Sequence, residues 1–156
     1  MFMQRNSFVF GGKKKILALD IGTKYVGIAM SDGDKKMAFA KSTVPWDGAF
    51  SELKKALDPV FSEEQIERVV LGFPHYGLSQ SKAEGQQQNK WATLIDDVKD
   101  WLVVMYKVPV VLVDERASTQ EAENRLSETV DVGDLRGIRK DAIAAQIILE
   151  RYLEGK

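Results

Sequence analysis

From Ile16 the chain is apolar through Ile16-Leu17-Ala18-Leu19 and the run stops at Asp20. Gly22 and Thr23 supply a tight turn, and a second apolar run over 25–30 leads into Ser31-Asp32. A buried strand, a glycine turn and a return strand read as a hairpin that holds Asp20 at the rim of a sheet. Residues 36–44 alternate well enough for a third antiparallel strand, closed by Pro45. Phe50, Leu53, Leu57 and Phe61 then fall on one face of a helix over 46–61, with Asp47 suited to cap its start. RVVLG at 68–72 is a short buried strand that runs into Phe73-Pro74. The polar, Gly-, Ser- and Gln-rich residues 75–88 carry no strand signal and read as a loop or a frayed helix start.

Trp91, Leu94, Ile95, Val98, Leu102 and Met105 recur at helical spacing, with Asp96, Asp97, Lys99 and Asp100 on the wet side. Beyond Pro109, residues 110–113 form another buried strand, closed by Asp114-Glu115-Arg116. Ser118 with Glu121 at capping-box distance starts a further helix, 129–139 read as loop, and a last helix spans 140–153 with Ile143, Ile147 and Leu149 inward. Three meandering strands followed by two strands separated by a helix predict an α/β fold. Its form is a mixed five-stranded sheet, three antiparallel strands then parallel ones, with helices on both faces. Residues 1–13 read as a loose arm and 14–156 as a single domain, with no internal repeat.

Composition narrows the chemistry. The chain has 156 residues, no cysteine and one histidine, His75. A disulfide framework, a thiol nucleophile and a multi-histidine metal site are therefore excluded. Any bound metal would take carboxylate oxygens, which points to Mg²⁺ or Mn²⁺. A net charge of −1 and a pI near 5.9 mean that a polyanion site has to be local. No apolar run approaches the roughly 20 residues of a membrane helix. The Phe8-Val9-Phe10 patch precedes its lysines, unlike a secretory signal, so a cytoplasmic location is expected.

Two strands end in carboxylates, the first at Asp20 and the last at Asp114-Glu115. Neighbouring parallel strands deliver their C-terminal ends to one sheet edge, where open α/β sheets bind ligands. Asp141, at the start of the last helix, is a third acid that can face that edge. Converging carboxylates without basic partners repel, and such a cluster persists when divalent cations occupy it. Two ions a few Å apart would clamp the attacking and leaving oxygens of a phosphodiester. Singly, each acid also has an ordinary structural reading: Asp20 as a turn residue, Asp141 as a helix cap, and Asp114-Glu115-Arg116 as a surface ion pair.

The segments LALDIGTKYVGIAMSD, VVLGFP, VPVVLVDERAST with QEAENRL, and KDAIAAQIILERYL, in this order over nearly the whole chain, resemble the YqgF/RuvX family. Its members are known as Holliday junction resolvases and as pre-16S rRNA processing nucleases. The resemblance implies an RNase H-like fold and a metal-dependent endonuclease with Asp20, Glu115 and Asp141 as ligands, maturing the 5′ end of pre-16S rRNA or, alternatively, cleaving four-way DNA. Strand alternation lets only one of Asp114 and Glu115 face the site, and the family pattern favours Glu115, leaving Asp114 a secondary candidate. A homodimer would suit symmetrical junction cutting. Lys24, Arg116, Arg136, Arg139 and Lys140 are the candidate phosphate contacts, each equally readable as a solvated surface charge. His75 could assist proton transfer or product release.

The chain departs from the family where Lys24-Tyr25 replaces Lys-Arg and where Ala117-Ser118-Thr119 replaces a leucine and two threonines. Gln86-Gln87-Gln88 also lowers the basic character after the second motif, VVLGFP. The opening DIGT with a later acid, which adds Thr23 and Asp32 as secondary candidates, is also similar to the first phosphate loop of sugar kinases and actin-like ATPases. That reading lacks a second glycine-rich loop. A non-catalytic module that recruits RNA or a ribosomal or transcription partner is the remaining alternative.

Overall fold

The computed structural model describes residues 13–73, 82–114, 124 and 140–155. β1 (Lys15–Ile21), β2 (Tyr25–Ser31) and β3 (Ala38–Pro45) form the antiparallel meander, and β4 (Ile66–Phe73) and β5 (Val110–Asp114) run parallel to β1. The strand order is β3-β2-β1-β4-β5, which puts the C-terminal ends of β1, β4 and β5 along one edge. One register row crosses the whole sheet at that edge. Thr43 pairs with Gly27, Gly27 with Asp20, Asp20 with Gly72, and Gly72 with Val113.

Alternation along β1 divides the core between two faces. Leu17, Leu19 and Ile21 pack with Val69 and Leu71 beneath α1 (Phe50–Glu63) and α2 (Lys82–Tyr106), whose Leu53, Leu57, Ile95, Val98 and Leu102 are buried. Ile16 and Ala18 face the other way, onto Ala145, Ile148 and Leu149 of α3 (Lys140–Leu153). This second interface is built from small side chains. Ala18, Ala29 and Ala38 on the sheet meet a helix that buries Ala142, Ala144 and Ala145, so α3 lies close to the strands. Asp20 has the parity of Ile16 and Ala18 and therefore belongs to the α3 face.

Two local expectations are corrected, and one open alternative is decided. The first helix starts at Phe50 with Ala49 as its N-cap and no side-chain cap. Asp47 instead accepts a 3.1 Å hydrogen bond from the Ala49 amide and closes the turn before the helix. Trp46 precedes the helix and is buried. Of the two readings of 75–88, residues 82–88 follow the helical one and form the first turns of α2, because Lys, Ala, Glu and Gln are strong helix formers even without an apolar stripe. All of the expected 1–13 arm except Lys13, together with His75 and nearly all of the helix starting at Ser118 and the loop after it, lie outside the described residues.

The wide aromatic edge between α1 and α2 carries a titration prediction. Phe61 stacks on Tyr106 at 4.0 Å, and the Tyr106 hydroxyl donates to Asp58 Oδ1 at 2.7 Å. Burial, with the Asp58 carboxylate as the second cause, pushes the Tyr106 hydroxyl above its ordinary 10.0. The folded chain thus holds this proton more tightly than the unfolded chain. The stabilisation is complete below about pH 10 and is lost as pH rises beyond it. Tyr106→Phe should flatten the alkaline limb of a stability-against-pH curve from urea melts; identical limbs in both proteins would contradict this coupling.

Candidate functional site

Asp20 is the last residue but one of β1 and is only 7% exposed. A carboxylate so placed has lost most of its hydration, a cost that a cation or hydrogen-bond donors must offset. The turn that follows is tight: the Gly22 amide donates to the Tyr25 carbonyl at 2.9 Å, and Thr23 and Lys24 are exposed at its tip. Gly22 also borders the second acid. A Cβ built on it would stand 2.7 Å from the Tyr25 carbonyl oxygen and 3.9 Å from Asp141 Oδ1.

Asp141 lies in the first turn of α3, where a carboxylate is favoured by the helix dipole. Its Oδ2 atom is fully buried. What brings it to Asp20 is Gly27. This glycine is the cross-strand partner of Asp20, and α3 crosses β2 directly over it. A Cβ on Gly27 would lie 1.9 Å from the Asp141 carbonyl oxygen, 2.2 Å from its carbon and 2.8 Å from the Ala142 nitrogen. Only a residue without a side chain lets the helix backbone come so close. Cross-strand partners lie about 4.5–5.5 Å apart at Cα, so Asp20 and Asp141 share one immediate neighbour and occupy the same face of the same edge.

Of the other sequence candidates, Lys140 is exposed at the first position of α3, beside Asp141. Lys24 and Thr23 project from the turn next to Asp20. Asp114 ends β5 and pairs with Phe73, one step beyond the Asp20–Gly72–Val113 row. Asp32 is not brought to this edge. It follows β2 at the opposite end of the sheet, where its Oδ1 accepts hydrogen bonds from the Lys36 and Met37 amides at 2.8 and 3.1 Å. Those bonds hold its carboxyl below the usual carboxylate range, and its role is to close the β2–β3 turn. Glu115, Arg116, Arg136 and Arg139 lie outside the described residues.

Among the described residues no three acids or histidines form a cluster able to hold a metal. The pair Asp20 and Asp141 nonetheless suits a hard cation in donor type, since both offer carboxylate oxygens. Gly22 and Gly27 keep side chains out of the space beside them.

Two residues of the site were not singled out from the sequence. Gly27 had an available signal, a glycine inside a strand, which marks close approach of another backbone. Trp46, whose indole N–H donates to the Gly22 carbonyl at 2.8 Å, had a weaker one, since a buried indole needs a partner for its N–H.

Residues 14–155 match the model of the RuvX family, described as Holliday junction resolvase. A protein of Caldanaerobacter subterraneus subsp. tengcongensis named "Putative pre-16S rRNA nuclease" is 33% identical over 145 residues, covering 91% of this chain and 97% of that protein. One of the same name from Caldicellulosiruptor saccharolyticus is 36% identical over 140 residues, covering 90% and 96%. Among solved structures, T. thermophilus RuvC in complex with a Holliday junction substrate superposes with a TM-score of 0.51 at 11% identity, covering 91% of this chain and 94% of RuvC. The fold is thus the RNase H-like fold expected from the motifs.

Proposed function

For a chain that belongs to the RuvX family and seats Asp20 and Asp141 over one glycine, we propose a divalent-metal-dependent endonuclease acting on structured nucleic acid, with 5′-end maturation of pre-16S rRNA as its reaction. The observation that carries this reading is the shared contact of Asp20 and Asp141 with Gly27. The relatives named for pre-16S rRNA span nearly the same length and support the choice of RNA.

Asp20 and Asp141 would hold Mg²⁺ or Mn²⁺, with Glu115 completing the set. Two bound ions of this kind supply activation of the attacking water and neutralisation of charge on the leaving oxygen. The protein's own task is positional. Asp20 stays at the end of a fully hydrogen-bonded strand, and Asp141 rides on a helix that Gly27 seats against the sheet. Burial of Asp20 and of the Asp141 Oδ2 atom limits their contact with bulk water, which strengthens their pull on a cation. Register favours Glu115 over Asp114. Position 114 is one step out of the Asp20 row and has the opposite parity, and the family pattern points to Glu115. Lys24 and Lys140 flank the acids, and with Arg116, Arg136 and Arg139 they would bind backbone phosphates.

A second substrate, the four-way DNA junction, is favoured by the description of the family model. Symmetrical cutting of a junction would require a homodimer. The two readings separate in one experiment: purified protein is incubated with precursor 16S rRNA and with four-way junctions, each with Mg²⁺ or Mn²⁺. The expected result is metal-dependent 5′ trimming of the RNA with junctions left intact. Junction cleavage with untouched RNA would reverse the choice, and cleavage of neither would contradict the nuclease reading.

A further inference from the structure

We infer that Trp46 is a positioning residue for the acidic site, holding the Gly22–Lys24 turn by two hydrogen bonds from behind the sheet edge. This rests on the nuclease reading above. Trp46 follows β3 and is 4% exposed, on the α1 and α2 side of the sheet. Its indole Nε1–H donates to the Gly22 carbonyl at 2.8 Å, and its amide donates to the Lys24 carbonyl at 2.9 Å. These carbonyls flank Thr23 at the tip of the turn that follows Asp20. The same turn carries Gly22, whose missing Cβ would stand 3.9 Å from Asp141 Oδ1. One residue therefore fixes the backbone that leaves the first acid and borders the second.

The ring is itself anchored. Trp46 stacks on Phe50 with centroids 6.4 Å apart and planes 18° from parallel. Phe50 meets Trp101 at 5.2 Å, and Trp101 meets Tyr106 edge-on at 5.7 Å. This aromatic series runs from α2 through α1 to the turn. An indole wedged in that series has little rotamer freedom, so its N–H can act as a fixed strut rather than a passing contact. If burial alone explained Trp46, a phenyl ring would serve nearly as well. The two bonds to one turn are what a strut requires.

The test compares the parent with Trp46→Phe, which keeps an aromatic ring and the amide bond but removes the Nε1 donor. Phe50→Leu, which disturbs the stack but leaves the indole donor, and Asp20→Asn are the controls. The expected result for Trp46→Phe is amide hydrogen exchange at 23–25 faster by about fivefold or more, the weight of one hydrogen bond. On the same enzyme kcat should fall about tenfold, with KM for RNA within about twofold and a higher Mn²⁺ concentration needed for half-maximal rate. Phe50→Leu, which loosens the indole's anchor but leaves its donor, should lose thermal stability with a fall in kcat smaller than that of Trp46→Phe. Should Trp46→Phe fail to fold, the parent alone decides: Mg²⁺ titration must shift the Trp46 indole N–H resonance, and an unmoved resonance overturns the proposal. Parent kcat and parent exchange rates in folded Trp46→Phe overturn it too. Full activity of Asp20→Asn would instead remove the nuclease reading, leaving the exchange result to stand on its own.

Discussion

Asp20→Asn is expected to lose cleavage by on the order of 10³-fold or more while melting at the same temperature as the parent, or higher, in metal-free buffer. The loss follows from charge. A divalent ion contributes several kcal/mol of transition-state stabilisation, and an amide oxygen in place of a buried carboxylate holds that ion weakly. The unchanged or raised stability follows from the same burial. Asp20 is 7% exposed and stands across one glycine from Asp141, so without metal its charge is poorly solvated and repelled. Adding Mn²⁺ should raise the melting temperature of the parent and leave that of Asp20→Asn nearly unchanged, because only a protein that binds the ion in its folded state is stabilised by it. Full residual cleavage, or an equal Mn²⁺ response in both proteins, would contradict the assignment.

Gly27→Ala should be among the most damaging single-methyl additions available to this fold. The new Cβ would have to occupy a point 1.9 Å from the Asp141 carbonyl oxygen and 2.8 Å from the Ala142 nitrogen. Both are helix backbone, so no side chain can swing aside. Either α3 lifts from the sheet or β2 bends, and overpacking of this kind costs about 1–3 kcal/mol or more. Lifting α3 carries Asp141 away from Asp20, and a misplacement near 1 Å costs about 10²-fold in rate. Urea melts and cleavage assays on the same preparation should therefore fall together. Parent stability in Gly27→Ala would show that the helix does not rest on this glycine.

Much of this architecture is legible in the residues. The apolar run ending at Asp20, the return run after the glycine turn, and the short runs at 68–72 and 110–113 each became a strand, because continuous apolar stretches of this length bury best between two layers. The last helix began at Lys140 as its spacing required. The boundaries left open or misjudged lie where polar residues carry the structure. The Gln-rich start of α2 has helix propensity but no apolar stripe, and Asp47 had two competing hydrogen-bond uses, of which the turn prevailed over the cap. Asp32 entered as a secondary candidate through the DIGT-and-later-acid pattern of a phosphate loop. In an antiparallel hairpin the far end of the return strand goes to the opposite edge, and Asp32 went with it. What one chain read in order could not supply is the third dimension at Gly27. The contact between residues 27 and 141 depends on how closely α3 approaches, and that distance is set by alanines scattered over four elements.

The placement of an ion between the two acids can be observed directly. Crystals grown or soaked with Mn²⁺ should give an anomalous difference peak about 2.2 Å from carboxylate oxygens of both Asp20 and Asp141. A peak bound to one of them alone, or none at this edge in a saturated crystal, would contradict a shared metal centre.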